Sequence, residues 1–555
     1  MTFHACPHFL SLSWTHAMHR TLRKRSSAFC VACAAAVGLS PSLPGATTIA
    51  AQDAPARGAF ILLIRNDTIL IERFARIGDI LQGSISAKGS PKLDYVMTLG
   101  PANTVQSLSL TVFAANATAD DKPVQQARFT MKGDSAIVEV GGNTQRLGSK
   151  AGAIPFVNGS VAMMELFTRR ARAAGGTATT PLLAVTGGET IPVAMQPLGP
   201  DSLLVTVATV EQRLRVDAAG NILGGVSPAQ QLGIIRVSGP AAAALTFGRG
   251  DYSAPAGAPY IAEEVTLRGP GGITLGGTLT IPRNAGGPVP AIVTITGSGQ
   301  QDRDEYIPVA GGYRPFRQLA DTLGRRGIAV LRLDDRMIGL SGGTIGTSAD
   351  YADDIRAALA YLRTRPEIDG KRLALVGHSE GGIIAPMVAA TDQALRGIVT
   401  LAGPAYTGST IIRYQLRNAL NHDASIASDR KDSAYRAMQA TFDSTSRRSV
   451  WTQYFLAYDP FPTAKKVKVP ALVLQGRTDQ QVTFEQAELL GAAMRSGGNR
   501  DVTVRVFPDM NHLFIYDPDG NPAGYTKLST NKMSAEVLGA IADWLATKLS
   551  LKNAM

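Results

Sequence analysis

The sequence predicts an α/β domain with a mainly parallel, helix-covered sheet, preceded by an all-β, mainly antiparallel domain. Up to about residue 238, short runs alternating apolar and polar residues are separated by turn residues, as in strands with one wet face. From Tyr260 onward, continuous apolar runs alternate with helical patterns, which implies strands buried on both faces. Between them, residues 239–259 are rich in Gly, Ala and Pro and read as a linker. A chain of 555 residues is too long for one compact core.

Residues 1–51 read as an export signal. Arg20, Arg23, Lys24 and Arg25 form a basic stretch, an apolar core covers 28–39, and breakers and small residues lead to a cleavage point near Ala50 or Ala51. That core is too short to span a bilayer. Residues 1–17 fit the pattern poorly, so Met18 is an alternative start. A lipoprotein signal ending at Cys33 would need Leu where Cys30 stands, and a buried Ala-rich helix is the remaining alternative. The segment holds four Lys or Arg and no Asp or Glu, so its removal takes the net charge from +11 to +7. The expected location is periplasmic or secreted.

The same segment holds every cysteine (Cys6, Cys30, Cys33) and His4, His8, His16 and His19, which leaves His378, His422 and His512. A chain without cysteine and with three histidines excludes a disulfide scaffold, a zinc finger, an iron–sulfur site and a cysteine nucleophile. No metal and no cofactor is expected. The positive charges are scattered, densest at Lys465, Lys466 and Lys468, which suits a solvated surface and no nucleic-acid partner. No later stretch is long and apolar enough for a transmembrane helix.

In the first domain (56–238), strands are expected at 60–64, 68–73, 93–99, 105–114, 127–131, 136–140, 203–207 and 213–216, with a helix near 160–173. No 40–50-residue repeat is present, and the length is too short for a seven-bladed propeller. A curved antiparallel sheet or half-barrel with an accessory role is expected, with a lipid- or glycan-binding module as the alternative. In the second domain (260–553), strands are expected at 264–267, 274–281, 291–296, 328–333, 373–376, 397–401, 471–475 and 502–507. Helices are expected at 316–325, 351–363, 382–390 and 534–551. A helical insertion, about 404–468, interrupts the alternation.

The chemistry sits in one motif. The strand 373–376 runs directly into Gly377-His378-Ser379-Glu380-Gly381-Gly382, and a helical pattern begins at once. This is G-x-S-x-G in strand–turn–helix context, a strained turn whose glycines let neighbouring backbones pass closely. A nucleophilic serine needs a base, and the base needs an orienting acid. His378 adjoins Ser379, with its side chain expected to point away, and His422 falls in the insertion. His512 lies in the loop after the last strand, at the same sheet edge as Ser379, and is the expected base. The order Ser…Asp…His puts the acid after the preceding strand, where Asp479 stands; Asp509 and Asp517 compete, Asp509 only three residues before His512. A turn-forming Asp479 and a surface His512 are the bland alternatives. The expected oxyanion donors are the N–H of Glu380 and that of Ser298, with Gly299 as its alternative. The Glu380 side chain reads as a carboxylate favoured by the helix dipole, with substrate contact as the other option.

Residues 260–553 resemble the α/β-hydrolase superfamily, and within it bacterial EstD-type esterases and serine-aminopeptidase-like hydrolases. The resemblance rests on TGSGQQDRDE (296–305), LRLDDRMIGLSGG (331–343), GHSEGGIIAPMVA (377–389) and YDPFPTAKKVKVPALVLQGRTDQQV (458–482). Two departures bear on the acyl pocket: Thr296-Gly297 stands where many relatives have His-Gly, and Arg336-Met337-Ile338-Gly339 replaces Arg-Gly-x-Gly. Asp302, Arg303 and Asp304 either brace their loop by ion pairs or contact substrate. The insertion would then be a lid, with Phe442, Trp451, Tyr454, Phe455 and Leu456 lining the acyl site or packing the lid down.

The resulting expectation is an exported serine hydrolase of short or medium acyl esters, with Ser379, His512 and Asp479 as its triad and a small-molecule substrate. A serine peptidase or amidase on the same triad is the first alternative, in which Glu380 or lid acids would hold the substrate amine. A non-catalytic binding protein is the second.

Overall fold

The protein is described by a computed structural model over residues 57–551, apart from 65–66, 88–89, 115–121, 187, 209, 246–249, 284–285, 424–425 and 447–449. Residues 1–51, read above as an export signal, lie outside the described residues. Among these residues, no helix is long and apolar enough to cross a membrane.

The β-rich region forms one sheet of fifteen strands. Arg57–Ile64 pairs antiparallel with Asp67–Ile77 on one side and with Leu232–Val237, the last strand, on the other, joining two meanders. The pairing is antiparallel throughout except where Ile154–Phe156 lies parallel to Ala178–Ala184. Strand 107–112 pairs with 125–130 in register Leu108↔Phe129 and Leu110↔Ala127, which sends alternate apolar residues into one core. The helix Val161–Ala173 is buried throughout its first two turns, so the sheet curves around it. Its N-terminus is capped twice. Ser160 Oγ accepts from Met163 N–H, and the buried Glu72 carboxylate accepts from Val161 N–H (2.6 Å) and Ala162 N–H (2.9 Å). Negative charge suits this end of a helix, but burial pushes the Glu72 carboxyl up to about 7 against those hydrogen bonds.

The linker is not a free spacer. Pro240–Ala244 is a short helix, and Tyr252 is anchored to the second domain. Its hydroxyl donates to Asp302 (3.1 Å), and the Arg303 guanidinium lies 4.4 Å from its ring centroid.

The second sheet has eight strands. Tyr260–Arg268 and Thr274–Pro282 form an antiparallel edge, and the remaining six are mutually parallel, in the order 329–333, 289–295, 368–378, 397–401, 471–476 and 502–507. The continuous apolar runs are explained by two cores of period two. Ala291, Val293, Leu373 and Leu375 face the helices Ser348–Thr364, Gly381–Ala389 and Glu485–Ser496. Ile292, Ala374 and Val376 face Pro315–Arg325 and Ala535–Lys548. The insertion contains the helices Gly408–His422, Lys431–Ser446, Val450–Ala457 and Pro460–Ala464. Parallel strands end together, so the loops after Ile295, His378, Gly476 and Phe507 gather at one sheet edge. That edge holds the site.

Candidate active site

Ser379 sits on the turn between strand Ile368–His378 and helix Gly381–Ala389 with a left-handed φ of 53°. A non-glycine residue is held there at a cost of about 1–3 kcal/mol. The turn is pinned by Ser379 N–H to Leu401 O and Gly382 N–H to Ser379 O, each 2.8 Å. Its glycines are required: a Cβ on Gly377 would lie 2.0 Å from Gly381 O, and one on Gly381 2.2 Å from Ile295 O. Ser379 is half-buried, whereas His378 and Glu380 beside it are buried.

His512 and Asp479 meet, with Nδ1 2.7 Å from Asp479 Oδ2, both side chains buried. The carboxylate is fully engaged. Its Oδ2 also accepts from Gln475 Nε2 (2.7 Å), and Oδ1 accepts from the N–H groups of Gln481 (2.7 Å) and Val482 (2.9 Å). Asp509 and Asp517 do not reach the imidazole; Asp517 accepts from Asn511 Nδ2 instead. His422 is exposed, bonded to Asn418 O. Ser379 Oγ makes no hydrogen bond to His512 among the described residues, a common state of ligand-free sites.

The backbone donors divide cleanly. Gly297 N–H is taken by Glu305 Oε1 (2.9 Å) and Ser379 N–H by Leu401 O. The N–H groups of Ser298, Gly299 and Glu380 have no acceptor among the described residues. The Glu380 carboxylate turns away from them to accept from Ser348 Oγ (2.5 Å) and from the indole N–H of Trp451 (2.9 and 3.1 Å). Burial raises its pKa, against the lowering effect of those two donors. It ties the insertion to the body. Trp451 stacks on Phe455 at 5.3 Å, and Trp451, Tyr454 and Phe455 pack onto the main core.

The loop after Thr296 is braced by charge. Buried Arg303 forks onto Asp334 (Nε–Oδ1 3.1 Å, NH2–Oδ2 2.6 Å), Arg332 pairs with Asp304, and Arg314 lies 3.4 Å from both Asp302 and Asp304. The three residues thus hold the loop by ion pairs. Thr296, in place of the histidine of many relatives, donates to Asp335 (2.9 Å), and Arg336 forks onto Asp354. A cavity of about 30 Å³, little more than water-sized, lies beside Gly297 and Gly299 between Leu275, Leu333, Ile355 and Ile384. Asp335 borders it, and burial there drives its pKa well above the carboxylate range.

Two residues escaped the sequence reading. The His378 ring does not simply point away; it lies 4.9 Å from the His512 ring, with Nε2 3.0 Å from His512 O and Nδ1 2.8 Å from Glu305 Oε1. Glu305 closes the stretch 296–305, and its position nine residues after Thr296 was the only available signal.

The second domain has the α/β-hydrolase fold, and its similarity to a serine aminopeptidase family and to named esterases supports a carboxylesterase-like hydrolase. The serine aminopeptidase (S33) family matches residues 310–519, a span that includes Ser379, Asp479 and His512. The chain is similar to esterase EstD of Thermotoga maritima, 27% identical over 297 residues covering 51% of this chain and 67% of that protein. It is also similar to the uncharacterized peptidase YuxL of Bacillus subtilis, 25% identical over 45% of this chain and 35% of that protein, so it spans about a third of that relative. Esterase Pf2001 of Pyrococcus furiosus aligns over 55% of this chain and 97% of its own, with 16% identity and a TM-score of 0.37.

Proposed function

We propose that the protein is an exported serine hydrolase that cleaves carboxylic esters of short or medium acyl chains. The observation that carries this reading is the Asp479–His512 pair at 2.7 Å beside a left-handed Ser379. Ser379 Oγ bonds to the acyl carbon while its proton passes to His512 Nε2, and Asp479 keeps the Nδ1 proton in place. The carbonyl electron pair moves to oxygen, where the N–H groups of Glu380 and Ser298 receive it, each worth about 3–4 kcal/mol. Collapse expels the alcohol, which takes the proton from His512. Water then attacks the acyl-enzyme by the reverse sequence and frees the acid.

The helical insertion acts as a lid, latched through Trp451 and Glu380. An aminopeptidase would need a carboxylate for the substrate amine; Glu380 is already occupied by Ser348 and Trp451, which leaves that role to acids of the insertion. The reading is tested with p-nitrophenyl esters of increasing acyl length against aminoacyl anilides, with Ser379→Ala as control. Highest kcat/KM on acetate-to-octanoate esters and loss of turnover in the variant are expected. Faster anilide cleavage, or full turnover by Ser379→Ala, overturns it.

A further inference from the structure

We propose that Glu305 and His378 form a second acid–imidazole pair that does not react but positions both the oxyanion turn and the base. The inference rests on the triad proposed above. Glu305 is a buried non-glycine residue at a φ of 55°, a conformation that persists only where the surroundings over-determine it. They do: Arg303 and Asp304 before it are locked into ion pairs, and Tyr306 after it donates its hydroxyl to Asp67 of the β-rich domain (2.8 Å). A single oxygen, Oε1, serves both Gly297 N–H and His378 Nδ1, while Oε2 is buried with no partner among the described residues. A buried carboxylate oxygen left unsatisfied is costly, so stability alone does not explain this residue.

The ring of His378 reads directly. Its Nδ1 faces a carboxylate and its Nε2 a backbone carbonyl. A carboxylate and a carbonyl both accept, so the two partners together favour a proton on each ring nitrogen. Burial works against that charge, but the Glu305 carboxylate outweighs it, and the pKa is raised. The charged or titratable groups around the ring are Glu305, Asp479 and, across its face, His512. Two consequences follow for the reaction. Gly297 N–H is taken by Glu305, which leaves the N–H groups of Ser298 and Gly299 as the turn's available donors. The backbone of His512 is clamped by His378 while its side chain is clamped by Asp479, so the base is held at both ends. A Cβ on Gly297 would stand 2.9 Å from Glu305 Oε1 and 3.2 Å from Ser379 Cβ, so any larger residue there displaces the Glu305 carboxylate.

The test is the full chain with Glu305→Gln and Glu305→Ala, assayed on the best ester with melting temperature as a check of folding. Gln keeps the Oε1 acceptor but removes the charge that raises the pKa of His378. A kcat reduced about 10-fold or more in Glu305→Gln and about 100-fold in Glu305→Ala, with KM changed less than about 2-fold, is expected for a partner acting through another residue. Rates of fluorophosphonate labelling should fall in parallel. A folded Glu305→Gln with wild-type kcat, or a loss confined to KM, overturns the inference. If the variants do not fold, a ¹⁵N-histidine pH titration of the wild type decides it, with His378 assigned by its absence from His378→Gln. A His378 pKa above 6.5 supports the pair, and one at or below 6.5 refutes it. Ser379→Ala separates the two proposals: full turnover there sinks the triad, whereas a silent Glu305 with a dead Ser379→Ala sinks only the pair.

Discussion

Replacing Asp479 by Asn is a change of one atom whose effect can be worked from the hydrogen bonds. The carboxylate accepts four donors, two on each oxygen. If the new NH2 stands at Oδ1, it confronts the N–H groups of Gln481 and Val482, and donor meets donor twice. If it stands at Oδ2, it confronts Gln475 Nε2 and His512 Nδ1. Gln475 cannot simply flip, because its Nε2 also donates to Val482 O (2.8 Å). The imidazole can adapt by moving its proton to Nε2, so the second orientation wins. That tautomer cannot accept the proton of Ser379. The expected loss in kcat is about 10⁴-fold, or ~5–6 kcal/mol of transition-state stabilisation, with the volume of the site unchanged. Stopped-flow or steady-state release of p-nitrophenol at pH 7.5 measures it, and a thermal melt confirms folding. A folded Asp479→Asn within 10-fold of wild type would refute the assignment of Asp479 as the orienting acid.

Trp451→Phe removes the indole donor from the buried Glu380 while keeping the ring stack on Phe455. It should cost about 1–3 kcal/mol in thermal or denaturant unfolding and raise KM more than it lowers kcat, as expected of a loosened lid. Glu72→Gln tests the buried cap in the β-rich domain. With its carboxyl raised from 4.5 to about 7, the folded state holds a proton that the unfolded chain has released. Stability from this group is therefore full below about pH 4.5 and falls by about 3 kcal/mol as pH rises through 7. Denaturant titrations between pH 4.5 and 8 should show that decline in wild type and a flatter profile in Glu72→Gln; equal slopes would contradict it.

The parallel core was legible because its strands are buried on both faces. The run at 373–376 is apolar without interruption and that at 291–296 is broken only by Thr294 and Thr296, and the observed strands Val289–Ile295 and Ile368–His378 contain nearly all of both. The β-rich region was less legible at its edges. Asn143–Gly148 is largely polar and almost wholly exposed, so neither alternation nor apolarity marks it, and it is held by pairing with Ser135–Val140 and by Leu147, which packs against the core. The helix Glu485–Ser496 was likewise not anticipated. At the candidate site, Ser379 could be read from its local motif, and His512 from the scarcity of histidines. Glu305 could not, because its two partners lie eight and 73 positions away and its left-handed backbone leaves no mark on a residue type that seldom adopts it.

Active-site labelling tests the whole scheme most directly. A fluorophosphonate probe, followed by digestion and mapping of the modified peptide, should give one adduct, on Ser379. The reaction should slow by orders of magnitude in His512→Ala, where no base remains to take the serine proton. Labelling at another serine, or undiminished labelling of the His512 variant, would contradict the Ser379–His512 assignment.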